Sequence, residues 1–286
     1  MVCKMKHLFL PGALYRLFSP KTINKGFLVA ILAAILFVPC HAQETVTYRI
    51  SARNMSARAL DSYPQKLLDL KKNGDTYTAE LTTFATHQDT VKRKIVLQDI
   101  YTPDYAYPDS IAAYLEPTSL VDCTLPQVKT IADTLFRDAD TLSLQVIARG
   151  LKFVSKHIAY DNDLAQELDN GNCRTLDVGT ILERGKGTCS EYTNLFLALM
   201  RKAGIPCRMV VGYIYMPEQK FEGAHAWAEC YVKGYGWFAV DPQNGFYWYP
   251  AFAIKMFYGK DFADCHIDTL PDMYPVKVEI LDGGKV

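Results

Sequence analysis

The sequence predicts an α+β fold: a cysteine-bearing helix packed on an antiparallel sheet, preceded by a small and mostly β N-terminal module. Three observations predict it. Between Gly187 and Pro206 apolar residues recur at Tyr192, Leu195, Phe196, Leu199 and Met200, the spacing of a helix with one buried face. Three apolar runs follow, Arg208–Tyr213, Ala224–Val232 and Trp237–Val240, and read as strands of one sheet. From Thr45 to about Thr102 the pattern mostly alternates, with Val46, Tyr48, Ile50 and Ala52 sharing one face.

The elements follow in chain order. Residues 1–42 carry five Lys or Arg and no Asp or Glu. Their twelve-residue apolar run, Phe27 to Val38, fits a signal-peptide core and falls short of the roughly twenty residues of a membrane span. Cys40-His41-Ala42 before Gln43 offers a cleavage site ending in Ala, and Pro39 disfavours lipidation at Cys40. The expectation is an exported chain, periplasmic or extracellular, that meets a membrane only through an uncleaved or lipidated leader.

Residues 43–116 form the expected N-terminal module. Tyr77, Ala79 and Leu81 repeat the alternation after a turn at Asn73-Gly74-Asp75, whereas Leu60 to Lys71 has helical apolar spacing and reads as one helix. Tyr101 to Pro117 is rich in Pro and Tyr and reads as a strap. The second domain spans 117–286. Pro126 to Ala139 is a helix with Val128, Ile131, Leu135 and Phe136 inward, and Leu142 to His157 repeats the logic through Val146, Ile147, Leu151 and Val154. Asp161 to Leu176 is polar and reads as a surface loop. The next helix stops at Gly204 and Pro206.

That helix begins at Cys189, behind Gly185 and Gly187. Unpaired N–H groups and the positive end of the helix dipole favour a thiolate there, which is how a cysteine becomes a nucleophile. Its base must be a histidine. His225 sits on the second strand, and Asp241 ends the third. Neighbouring strands can present imidazole and carboxylate together, the acid fixing tautomer and ring orientation. Each residue alone reads as readily as buried packing or a turn; their conjunction reads as a Cys189–His225–Asp241 triad. Around it, Trp227 and Phe246, Tyr247, Trp248 and Tyr249 are candidate cleft walls, and Glu191 is a candidate anchor for a substrate amine, with helix N-terminal stabilisation as its plain alternative. Glu229 shares strand parity with His225, or else forms a surface ion pair.

Residues 117–249 resemble the transglutaminase-like superfamily, in particular its bacterial secreted members. The resemblance rests on Gly187-Thr188-Cys189-Ser190-Glu191-Tyr192 with Ala203-Gly204-Ile205-Pro206-Cys207-Arg208, on His225-Ala226-Trp227-Ala228-Glu229, and on Gly236-Trp237-Phe238-Ala239-Val240-Asp241-Pro242. Tyr114 to Thr118 and His157 to Asp161 also look like this group. It implies a papain-like transglutaminase core with Cys189 as nucleophile, His225 as base and Asp241 as orienting acid. The superfamily includes cross-linking enzymes, amide hydrolases, peptidases and inactive relatives, so the resemblance implies a mechanism more than a substrate. The expected chemistry is attack on a peptide or carboxamide carbonyl through a thioester, ending in hydrolysis. The alternatives are acyl transfer to an amine, which cross-links proteins, and a silent binding module.

Without the leader, 26 basic residues face 31 acidic ones, and no basic stripe stands out. This balance points to a protein or peptide substrate and away from nucleic acid. Hydrophobic residues make up 49% of the chain, enough for a sizeable core. No CxxC zinc spacing or EF-hand loop occurs, so no metal or other cofactor is expected. Six cysteines remain beyond the leader, and a symmetric hairpin would set Cys207 opposite Cys230 as a candidate disulfide.

Overall fold

In the computed structural model, residues 45–283 are described apart from 87–88, 138–141, 172–173 and 248–249. The leader, Ala139, Cys173, Trp248 and Tyr249 therefore lie outside the described residues. Strand β1 (Thr45–Ala52) alternates buried and half-buried as the sequence predicts, and short helix α1 (Ala57–Leu60) follows. Strands β2 (Gln65–Asn73) and β3 (Thr76–Phe84) make a hairpin whose turn holds Gly74 at φ 59°.

The helix expected over Leu60–Lys71 is thus mostly strand β2. A bulge explains the misreading. Leu67 pairs with Leu81 and Leu70 with Ala79, while the register slips between Leu67 and Asp69. The extra residue turns Leu68 out, 58% exposed, and puts Leu67 and Leu70 on one face three residues apart. In sequence, that spacing is indistinguishable from a helix. A second departure is helix α2 (Thr90–Gln98), capped by Asp89 and lying within the span that was expected to alternate.

The strap contains helix α3 (Asp109–Ala112) and a 3-10 turn at Ala113–Leu115. Its tyrosines bind it down edge-to-face: Tyr105 on Tyr107, Tyr107 on Tyr231, and Tyr114 on Trp237, with centroids 4.8, 5.8 and 4.9 Å apart. Helix α5 (Ser143–His157) stands where it was predicted, and α4 (Pro126–Leu135) starts at the predicted Pro126 but ends before Phe136, short of the expected Ala139. Strand β4 (Ala159–Tyr160) leads into helix α6 (Asn162–Asp169), which replaces the expected surface loop. Asp161 caps α6 by accepting from Leu164 N–H, and Leu164 and Leu168, one turn apart, are both buried. Two apolar residues among polar ones were too few to reveal it.

Helix α7 (Val178–Arg184) and strand β5 (Lys186–Gly187) lead to the long helix α8 (Cys189–Lys202). Strands β6 (Cys207–Met216), β7 (Phe221–Val232), β8 (Gly236–Asp241), β9 (Phe246–Tyr247) and β10 (Ala253–Gly259) make an antiparallel sheet in the order β10-β6-β7-β8-β9. The last strand, β11 (Lys277–Gly283), returns to the N-terminal sheet, whose order is β11-β1-β3-β2. The N-terminal strands are therefore completed from the other end of the chain. Gln65 joins the two sheets: its amide exchanges hydrogen bonds with Lys255 N–H and C=O at 2.8 and 2.7 Å.

Helix α8 sits between β6–β7 and helices α4, α5 and α7. The sequence shows one apolar face, yet every residue from Cys189 to Arg201 is buried. Most of the polar groups are matched internally, while Asn194 Oδ1 is buried without a partner among the described residues. Thr193 hydroxyl donates to Cys189 C=O, Asn194 amide to Leu176 C=O, and Arg201 to the carbonyls of Cys207 and Glu116. After the helix, Gly204 takes φ 76°, and a Cβ there would lie 2.1 Å from Pro103 C=O, so only glycine allows the strap to cross.

Candidate active site

The turn before Cys189 is fixed from three sides. Strand β5 pairs in parallel with β4, and Asp161 N–H donates to Gly187 C=O at 2.9 Å. Tyr192 hydroxyl reaches back to Ile158 C=O at 2.7 Å. Glu191 folds over the turn: Oε2 accepts from Thr188 N–H at 2.8 Å and from its hydroxyl at 2.7 Å, and Oε1 accepts from Leu176 N–H at 3.0 Å. This is a capping arrangement that spends the carboxylate on backbone and hydroxyl. Glu191 is fully buried, which pushes its pKa up against those hydrogen bonds. The amine-anchor reading does not fit this geometry, since no face of Glu191 meets solvent; the alternative, helix N-terminal stabilisation, describes it. Gly187 makes the fold-over possible, because a Cβ there would lie 2.2 Å from Glu191 Cβ.

His225 is carried by β7 opposite Gly212 of β6, and Asp241 ends β8. Ring Nε2 and Asp241 Oδ2 are 2.8 Å apart, and Cys189 lies near enough to the same imidazole to favour its charged form. Helix start, strand and strand end thus bring the three residues together. All three are buried, at 7%, 6% and 5% exposure for Cys189, His225 and Asp241, so water competes weakly for these contacts. Burial alone would depress the His225 pKa. The Asp241 charge and hydrogen bond, with help from Cys189, outweigh it and push the ring up to about 10. Burial likewise opposes the Asp241 charge, but His225 and the Asn244 amide hold that carboxyl below its ordinary value. Both shifts favour the imidazolium–carboxylate form of the pair at neutral pH.

Trp227 departs from expectation. It is 1% exposed, packs with Val210 and Ile214, and its ring lies at 25° to that of His225 with centroids 6.3 Å apart. It backs the imidazole from within and does not form an exposed wall. Of the aromatic cluster, Phe246 is 43% exposed and Tyr247 half-buried. Glu229 shares strand parity with His225 but does not form a surface ion pair: it pairs inside the protein with Arg208 at 2.7 Å and with Lys255, all three buried. Burial lowers Lys255 to about 8 despite Glu229. Sequence reasoning overlooked Asn244, whose side chain donates to Asp241 Oδ2 at 2.9 Å. The signal was present in Asp241-Pro242-Gln243-Asn244, a turn sequence at a strand end. Among the described residues no group of three His, Cys, Asp or Glu is placed to hold a metal ion.

This geometry can be compared with known proteins. Residues 129–242 match the profile of the Transglutaminase-like superfamily. They are a transglutaminase-like domain. Kyphoscoliosis peptidase of Mus musculus is 37% identical over 99 residues, covering 32% of this chain and 14% of that protein. Protein-glutamine gamma-glutamyltransferase of Pseudomonas aeruginosa is 34% identical over 71 residues, covering 22% of this chain and 10% of that protein. The chain thus spans a small fraction of both. A solved structure named "Putative Cysteine Protease", from Cytophaga hutchinsonii, superposes with a TM-score of 0.56 at 17% identity. It covers 85% of this chain and 92% of that one, so the shared fold extends beyond the transglutaminase-like domain.

Proposed function

We propose that this chain is an exported thiol hydrolase that cleaves peptide or carboxamide bonds with a Cys189–His225–Asp241 triad. The observation that carries the reading is the Asp241 Oδ2–His225 Nε2 contact of 2.8 Å, with the Cys189 thiol near the same ring. Cys189 thiolate adds to the carbonyl carbon, and the Cys189 N–H at the helix start is suited to receive the oxyanion. The tetrahedral species collapses to a thioester as His225 gives its proton to the departing amine. Neutral His225 then takes a proton from water as the hydroxide adds, and the carboxylic acid leaves as the thiolate reforms. Asp241 keeps the ring aligned throughout. Residues 117–276 are assigned the chemistry, residues 43–116 together with β11 a supporting module, and residues 1–42 export.

Water is the generic acceptor, which favours hydrolysis over acyl transfer; the gamma-glutamyltransferase relative keeps transfer as the second reading. A thiol-reactive probe on wild type, Cys189→Ala and His225→Ala tests the nucleophile. Cys189 is expected to label faster than every other cysteine, and labelling no faster would overturn the triad. A peptide library incubated with and without an added amine then separates the reactions by mass. Cleavage or a one-dalton deamidation is expected, and an amine adduct as the main product would reverse the preference.

A further inference from the structure

We propose that Asn244 is a positioning residue that fixes the Asp241 carboxylate for His225. The inference rests on the triad reading above. Asp241 is held by four donors besides packing. Oδ1 accepts from Gln243 N–H and Asn244 N–H, both at 3.1 Å, and Oδ2 accepts from His225 Nε2 at 2.8 Å and Asn244 Nδ2 at 2.9 Å. Asp241 C=O also accepts from Gly245 N–H at 2.8 Å, and Pro242 has no N–H to compete. The backbone donors alone close this turn, so the Asn244 side chain is not needed for its shape. It binds instead the one carboxylate oxygen that also holds the imidazole.

Two consequences follow from that placement. The two amides hold Oδ1 at 3.1 Å, and the Asn244 amide adds a shorter contact on Oδ2 that resists rotation about the Cβ–Cγ bond and keeps the carboxylate plane turned to Nε2. Asn244 is exposed whereas Asp241 is 5% exposed, so its side chain also covers the solvent side of a buried carboxylate. An ionised carboxylate accepts only, so the amide must present its NH₂ there. The titratable groups facing Asp241 are His225 from β7 and, beyond the ring, Cys189 from α8. Glu191 is turned away onto Thr188 and Leu176.

The discriminating variants are Asn244→Ala and Asn244→Asp. Asn244→Ala is expected to lower kcat/KM roughly ten- to hundredfold, the range of one hydrogen bond to a charged group, with KM little changed. Asn244→Asp puts two carboxyls in contact, which cannot both ionise until the pH is well above the ordinary range. Near pH 5 the shared proton lets residue 244 donate to Asp241 as the amide did, and activity is expected within about threefold of wild type. As the pH rises toward about 8, both ionise and activity is expected to fall to the Asn244→Ala level. The His225 ring N–H, read by ¹⁵N-histidine NMR, is expected to follow the same course. It should be sharp in wild type, sharp in Asn244→Asp only at low pH, and broadened by water exchange in Asn244→Ala. A constant ratio to wild type in both variants across this pH range, with the ring N–H unchanged, would overturn the proposal. The NMR readout needs no turnover. An inactive wild type with the expected N–H pattern would sink the hydrolase reading alone, and an active enzyme indifferent to both variants would sink the positioning role alone.

Discussion

Asp241→Asn is the sharpest perturbation of the site, because it removes a charge and leaves the shape. In wild type, burial presses His225 toward its neutral form, and the Asp241 charge and hydrogen bond overcome that pressure and carry the pKa to about 10. With an amide in place of the carboxylate, the Asp241 attraction disappears while the burial remains, and the smaller contribution of Cys189 does not offset it. The ring should then titrate below its ordinary 6.5. A fall from about 10 to under 6.5 corresponds, at about 1.4 kcal/mol per unit, to roughly 5 kcal/mol of differential interaction.

The assay is an NMR titration of the ¹⁵N-labelled histidines, with His225 assigned by loss of its signal in His225→Gln. Wild type is expected to keep the imidazolium through neutral pH, and Asp241→Asn to present a neutral ring at pH 7. Stability should follow with a definite sign. A histidine whose pKa is raised on folding contributes stability that is complete below its unfolded value and vanishes as the pH passes its folded one. Wild type should therefore lose this contribution between about 6.5 and about 10, and Asp241→Asn should show no such decline. The depressed Asp241 carboxyl acts at the other end, its contribution disappearing as the pH falls below 3.8. A wild-type midpoint near 6.5, or a change of less than one unit on substitution, would refute the reasoning.

Other substitutions test the frame around Cys189, His225 and Asp241. Glu229→Gln strands the buried Arg208 and Lys255 charges and should cost about 3–5 kcal/mol in urea unfolding, part of it recovered in the double variant with Lys255→Met; a loss under 1 kcal/mol would contradict the buried pairing. Gly187→Ala forces a Cβ against Glu191 and should cost about 1–3 kcal/mol while slowing alkylation of Cys189, an effect that wild-type labelling rates would disprove. Cys207 and Cys230 are direct register partners with sulfurs 2.7 Å apart, both free thiols in this structure. Refolding with oxidised glutathione is expected to remove two titratable thiols, joined as a disulfide while two glutathiones are released. Full thiol counts after that treatment would mean the pair stays reduced.

The placement of the candidate site was legible in the sequence where its residues coincide with an element boundary. Cys189 begins a helix with an apolar stripe, and Asp241 closes an apolar strand, so the types of residue and their places agree. What could not be read is what depends on a partner elsewhere in the chain. Leu68 misled because a bulge is defined by the strand beside it; only the slip against Leu81 and Glu80 shows that Leu67 and Leu70 share a face. Strand β11 could not be assigned to the first sheet, since its pairing with β1 is set by residues more than two hundred positions apart. Glu191 and Glu229 show the same limit in electrostatic form. Each carries a charge that sequence places at a surface, and each is buried because donors converge on it: Thr188 and Leu176 on the first, Arg208 and Lys255 on the second. Burial of a carboxylate is a property of its donors, so it becomes visible only when strands and helices have brought them together. The same argument makes Asn244 intelligible after the fact. Its amide means little in a turn and acquires meaning from the oxygen it shares with His225.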